Sequence, residues 1–104
     1  MDPVRVGIAG LGTVGSGVVQ LLHEQRDMLA ARSGRPIVIT AASARNLNKS
    51  RDLPLEGIRI IADARELATQ HDVDVVIELI GGDSGIAREP VEAALRNRKP
   101  VITA

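Results

Sequence analysis

Val4-Arg5-Val6-Gly7-Ile8-Ala9-Gly10-Leu11-Gly12-Thr13-Val14-Gly15 is the stretch that decides the fold. The first six residues read as a buried strand, Val4–Ala9. The next six form a GxGxxG turn, and an apolar helical pattern follows at once. The glycine string alone is a weak signal; between a strand and a helix it gains a physical meaning. Gly10 permits the tight turn out of the strand. Gly12 has no Cβ, so a pyrophosphate can approach the main chain. Gly15 lets the helix lie close to the sheet. The first free N–H groups of that helix, around Thr13 and Val14, suit an anion because the helix dipole is positive there. A plain strand-to-helix turn with no ligand is the competing reading.

Working outward, strands and helices alternate. The helical pattern predicts one helix from about Val14 to Ala31, with Val14, Val18, Leu21, Leu22 and Leu29 facing the sheet. Gly17 inside it suggests a second close approach, since a mid-helix glycine costs up to about 1 kcal/mol. Gly34 reads as a C-cap before Pro36. Strands are expected at Ile37–Ala44, Ile58–Ala62, Val73–Leu79 and Val101–Ala104. A helix is expected over Ala64–Gln70, with Asp63 as N-cap and Glu66 as its capping-box partner. Another spans Ala87–Asn97, with Val91, Ala94 and Leu95 inward and Pro90 in its first turn. The polar segment Arg45–Gly57 reads as a loop.

This alternation implies an α/β, Rossmann-like, doubly wound parallel sheet of about five strands in the order 3-2-1-4-5, incomplete after the fifth. Ligands in such sheets bind beyond the carboxyl ends of the strands, where the order reverses. Gly10–Gly15, Arg45, Ile80–Gly82 and Thr103-Ala104 thereby share one rim. The end of strand 2 carries no acid to accept ribose hydroxyls, as an NAD-preferring site usually would. Arg45 stands where a 2′-phosphate would lie, with Ser43, Lys49 and Arg51 nearby. A charge-assisted hydrogen bond of about 1.5–3 kcal/mol gives roughly ten- to hundredfold preference for NADP. Asp27, nearer the usual spacing from the glycines, falls inside the first helix and reads as a surface charge.

Composition narrows the function. The 104 residues suit one domain. Thirteen basic residues balance thirteen acidic ones, so neither a nucleic-acid nor a membrane surface is indicated. There is no cysteine, hence no disulfide, thiol nucleophile or cysteine metal site. No apolar run nears the ~20 residues that span a bilayer, and no leader is visible, so the expected location is the cytoplasm. Aromatic residues are absent, so an adenine ring would rest on aliphatic side chains or an arginine. His23 and His71 lack partners at metal spacing. Ser16 and Thr13 have no histidine for nucleophilic catalysis. Glu78 reads as a carboxylate hydrogen-bonded near the sheet rim, with a catalytic base as the alternative, and Asp83-Ser84 as a turn. No catalytic residue and no metal ligand is assigned.

The chain resembles the N-terminal cofactor domain of homoserine dehydrogenases. The resemblance rests on Val6–Gly15, Ala44-Arg45-Asn46-Leu47-Asn48-Lys49, Asp74-Val75-Val76-Ile77-Glu78-Leu79-Ile80-Gly81-Gly82, and Lys99-Pro100-Val101-Ile102-Thr103-Ala104. It covers almost the whole chain, and the last two stretches together are its most specific part. It implies NAD(P)H-dependent reduction of L-aspartate 4-semialdehyde to L-homoserine, a step toward threonine and methionine. It implies that Thr13 and Val14 bind pyrophosphate, that Arg45 binds the adenosine ribose or its phosphate, and that Gly81, Gly82, Thr103 and Ala104 line the nicotinamide end. In that family the strand-5 Thr-Ala is followed by Asn-Lys, whose lysine acts in proton transfer, and by a substrate domain with dimer-forming strands. This chain ends before them, so it is expected to bind the dinucleotide without turnover. Substrate handling and homo-oligomer formation are expected of a longer protein only. The alternatives are the cofactor domain of another dehydrogenase and a nucleotide-sensing module without chemistry.

Overall fold

The computed structural model describes residues 2–44, 54–80 and 88–103, the side chain of Arg88 excepted. Five strands form one parallel sheet: β1 (Val4–Ala9), β2 (Ile37–Ser43), β3 (Arg59–Ile61), β4 (Val75–Glu78) and β5 (Val101–Thr103), in the order β3-β2-β1-β4-β5. Both the strand order and the parallel direction agree with the sequence reading. β1 has the expected bounds, and the ends of β2, β3 and β4 are one or two residues shorter than expected. β1 pairs with β2 on one side and β4 on the other, so the chain reverses direction across the sheet between β1 and β4. The β1–β2 register slips between Val6 and Gly7. Thr40, the extra residue on β2, donates its hydroxyl to the Asp72 carbonyl at 2.6 Å.

Each face of the sheet is covered, which is why the strands are apolar throughout. Val6, Ile8, Ala42 and Ala44 pack with Leu11 and Val19 on the side of α1 (Thr13–Glu24). Ala9, Ala41 and Val76 pack with Leu67, Ala68, Val73, Ala93 and Ala94 on the other. That side is built from a 3-10 helix (Ala64–Thr69) and α3 (Arg88–Arg96). Asp63 caps the 3-10 helix by accepting from the Arg65 N–H at 2.9 Å, while the Glu66 N–H donates to the Asp63 carbonyl. No described helix is long and apolar enough to cross a membrane.

Four helical expectations are corrected. The first helix is two: α1 stops at Glu24, Gln25 leaves helical geometry, and α2 covers Arg26–Ser33. The Arg26 guanidinium takes the His23 carbonyl at the break, and α2 buries none of its residues. The segment expected as helix 64–70 is 3-10 rather than α. The inward face of α1 is rotated from the expected one: Gly15 and Val19 are buried, whereas Val14 and Leu21 are more than half exposed. On α3 Ala94 is buried as expected, together with Pro90 and Ala93, but Leu95 faces outward. In both helices small residues mark the contact, because they allow the backbone to approach.

Candidate functional site

The site is built from strand ends. Gly10 has φ +103°, a conformation that L side chains rarely adopt. Its N–H donates to the Ser43 hydroxyl at 3.0 Å, tying the turn to the end of β2. A Cβ on Gly10 would lie 3.3 Å from the Cα and N of Ile80, so the turn also touches the exit of β4. A Cβ on Gly15 would lie 1.8 Å from the Gly10 carbonyl oxygen. The first turn of α1 is thus seated directly on the glycine turn. This contact sets the rotation of α1 and explains its unexpected inner face.

Gly12 is the opposite case. A Cβ there would meet nothing within 4 Å among the described residues. Gly12 is the N-cap of α1, has no side-chain cap, and is followed by a first turn without an acid. Ser16 N–H closes the turn on the Gly12 carbonyl at 2.8 Å, and the Ser16 hydroxyl takes the Leu11 carbonyl. The helix therefore presents uncapped amides and the positive end of its dipole into open space, an arrangement that suits a phosphate. Thr13 and Val14 are exposed at this opening.

Across the reversal point, register places Ala9, Glu78 and Thr103 in one row at the carboxyl ends of β1, β4 and β5. Ile80 is half-buried and Thr103 exposed. Glu78 is buried, and its Oε2 accepts from the Ile80 N–H at 2.6 Å, as the hydrogen-bonded reading of this acid expects. The structure thus gathers Gly10, Gly12, Thr13, Val14, Gly15, Ile80 and Thr103 on one rim. Arg45, Lys49, Gly81, Gly82 and Ala104 lie outside the described residues.

Two sequence inferences fail here. Ser43 is not free to assist a phosphate: it is buried, and its oxygen serves Gly10. Its position as a polar residue ending an apolar strand was the signal. Gly17 marks no close approach, since a Cβ there would meet nothing within 4 Å. His23 and His71 are exposed.

The polar contacts at the opposite ends of the strands are structural. Arg5 donates its main-chain N–H and two guanidinium bonds to Asp74, at 2.9–3.0 Å. These bonds hold the Asp74 carboxyl down at about 2. Lys99 Nζ donates to the carbonyls of Gln70 and Val73, and its burial pushes its pKa below the usual lysine value. A shallow groove beside Lys99, lined by Thr69, His71, Asn97 and Arg98, lies on this wrong rim.

Comparison with known proteins gives the family. The family model described as "Homoserine dehydrogenase, NAD binding domain" matches residues 10–104. The chain belongs to that family. It is 41% identical to the homoserine dehydrogenase of Methylobacillus glycogenes over 104 residues, covering all of this chain and 25% of the relative. It is 42% identical to that of Pseudomonas aeruginosa, covering all of this chain and 23% of the relative. Among solved structures, Staphylococcus aureus homoserine dehydrogenase superposes with a TM-score of 0.87 at 33% identity, over 100% of this chain and 26% of that one. The Thiobacillus denitrificans enzyme gives 0.83 at 38% identity, over 97% and 23%. The chain spans about a quarter of the length of the curated relatives it matches. A nicotinamide dinucleotide is the ligand of this domain family, and the residues present fit one. The cradle at Gly12 is open, α1 starts uncapped, and no acid faces the anion in the first turn.

Proposed function

We propose that this chain is the cofactor-holding part of a homoserine dehydrogenase with a preference for NADP. The observation that carries the reading is the contrast between Gly15, whose missing Cβ is filled by the Gly10 carbonyl, and Gly12, whose missing Cβ is open to a ligand. The main-chain amides of Thr13 and Val14 hold the pyrophosphate. Arg45, assisted by Lys49, takes the 2′-phosphate of the adenosine ribose. Ile80, Gly81, Gly82, Thr103 and Ala104 line the nicotinamide end. When bound, the dinucleotide supplies the hydride for reducing L-aspartate 4-semialdehyde to L-homoserine. The residues of this chain orient it, and the substrate groups belong to the remainder of a longer cytoplasmic, oligomeric enzyme.

Titration of the chain with NADPH and NADH, followed by cofactor fluorescence, tests the reading. The absence of Trp and Tyr keeps the protein background low. Tighter binding of NADPH, reduced roughly ten- to hundredfold in Arg45→Ala, supports it. Equal affinities remove the NADP preference and leave the dinucleotide role. Absence of binding by either sinks the cofactor role of the isolated chain. Homoserine oxidation by the isolated chain contradicts the division of labour.

A further inference from the structure

Glu78 is the one acid that the described sheet carries at its ligand-facing strand ends. It is 6% exposed and lies at the reversal point, with Ala9 beside it on β1 and Thr103 beside it on β5. One oxygen accepts the Ile80 N–H. No described lysine, arginine or histidine forms an ion pair with it. Burying a carboxylate without a cation is costly in general, and the Ile80 N–H is its side chain's one hydrogen-bond partner among the described residues. The adjacent glycine turn needs only a backbone contact with Ile80, which a neutral side chain at position 78 would also permit.

The ligand of the site has two charge states at one end. Its nicotinamide ring is cationic when oxidised and neutral when reduced, while the rest of the molecule is unchanged. A buried negative charge at the strand end on the nicotinamide side of the turn therefore acts on one form only. From this juxtaposition we infer that Glu78 discriminates between the oxidation states of the bound dinucleotide, holding the oxidised form more tightly than a neutral residue would. The inference rests on the dinucleotide reading above and deepens it.

Glu78→Gln keeps the shape and an oxygen for the Ile80 N–H and removes the charge. Glu78→Asp keeps the charge. Affinities of the intact chain for NAD⁺, NADH and ADP-ribose, which lacks the ring, are measured by calorimetry, with far-UV circular dichroism as the folding control. The expected result is a loss of about fivefold or more in NAD⁺ affinity for Glu78→Gln, the order expected for a unit charge acting at an effective dielectric near 20 and reduced for solvent screening. NADH and ADP-ribose should stay within about twofold, and Glu78→Asp should keep the wild-type NAD⁺/NADH ratio. Glu78→Met gives the same reading if the amide variant does not fold. An unchanged ratio overturns the inference. So does equal weakening of all three ligands, which would make Glu78 only a brace for the Ile80 loop. If the wild-type chain binds none of the three, NADP⁺, NADPH and 2′-phospho-ADP-ribose take their places in the same comparison; if it binds none of those either, the cofactor reading falls and this inference with it. If it binds ADP-ribose as tightly as both dinucleotides, the inference alone falls.

Discussion

Gly15→Ala and Gly17→Ala place the same methyl group in the same helix, two residues apart, and should act in opposite directions. At Gly15 the new Cβ sits 1.8 Å from the Gly10 carbonyl oxygen and 2.8 Å from its carbon. Both partners are main chain, so no rotamer change relieves the clash. Reaching even 3.0 Å requires α1 and the glycine turn to separate by about 1.2 Å. Overpacking of this kind costs about 1–3 kcal/mol, against a helix-propensity gain of up to about 1 kcal/mol. At Gly17 the Cβ enters open space, so only the propensity gain remains, about 0.5–1 kcal/mol. Since the propensity gain is common to both, the two variants should differ by the overpacking cost, about 1–3 kcal/mol, or roughly 1 M in urea midpoint. Far-UV circular dichroism is the readout, since the chain has no Trp or Tyr. The displacement also moves the amides of Thr13 and Val14, so Gly15→Ala should lose at least about tenfold in dinucleotide affinity while Gly17→Ala keeps it. A Gly15→Ala chain as stable as Gly17→Ala, with unchanged affinity, would refute the seating of α1 on the turn.

Ser43→Ala removes the acceptor for the Gly10 N–H; a loss of about 1 kcal/mol is expected in urea denaturation, with weaker dinucleotide binding, and wild-type behaviour in both would show that the turn holds itself. Asp74→Asn should flatten the acid limb of stability. The folded carboxyl is held at about 2, below the ordinary value of 3.8, by hydrogen bonds from Arg5. Its contribution is therefore complete above about pH 4 and disappears as the pH falls through about 2. Wild type and variant should differ in thermal midpoint at pH 6 and converge by pH 2; a constant difference across that range would contradict the assignment.

Much of this fold was legible because the local signals agree. An apolar strand, a glycine turn and an amphipathic helix recur in an order that admits few topologies, and the observed sheet order follows. What the pattern misjudged were helix faces. Counting apolar residues put Val14 and Leu21 inside, but the residue that docks is Gly15, which has no hydrophobic side chain to count. The same holds on α3, where Ala93 and Ala94 lie buried while Leu95 is 63% exposed. The break at Gln25 was also invisible, because both halves of the helix are good helix formers and what separates them is that α2 buries nothing. Gly17 was misread for the converse reason: a helix-weakening residue suggests a packing demand, and here none is present.

The rim itself depends on contacts that no local window contains. Gly10 is held by Ser43, which is 33 residues away, and rests against Ile80, which is 70 residues on. The glycine turn therefore acquires its position only once β2 and β4 have paired with β1. Its binding groups are main-chain amides, which a substitution cannot delete but can displace. In such a site affinity is controlled through packing: the residues that matter most are those which touch the turn from behind, and they carry no chemistry of their own. Glu78 departs from that rule, being an acidic side chain buried at the same rim, where the other described groups are backbone and uncharged side chains. A neutral residue would have served packing better. A negative charge at that strand end distinguishes ligands by the charge they carry there, and the comparison of Glu78→Gln with Glu78→Asp reads that effect separately from packing.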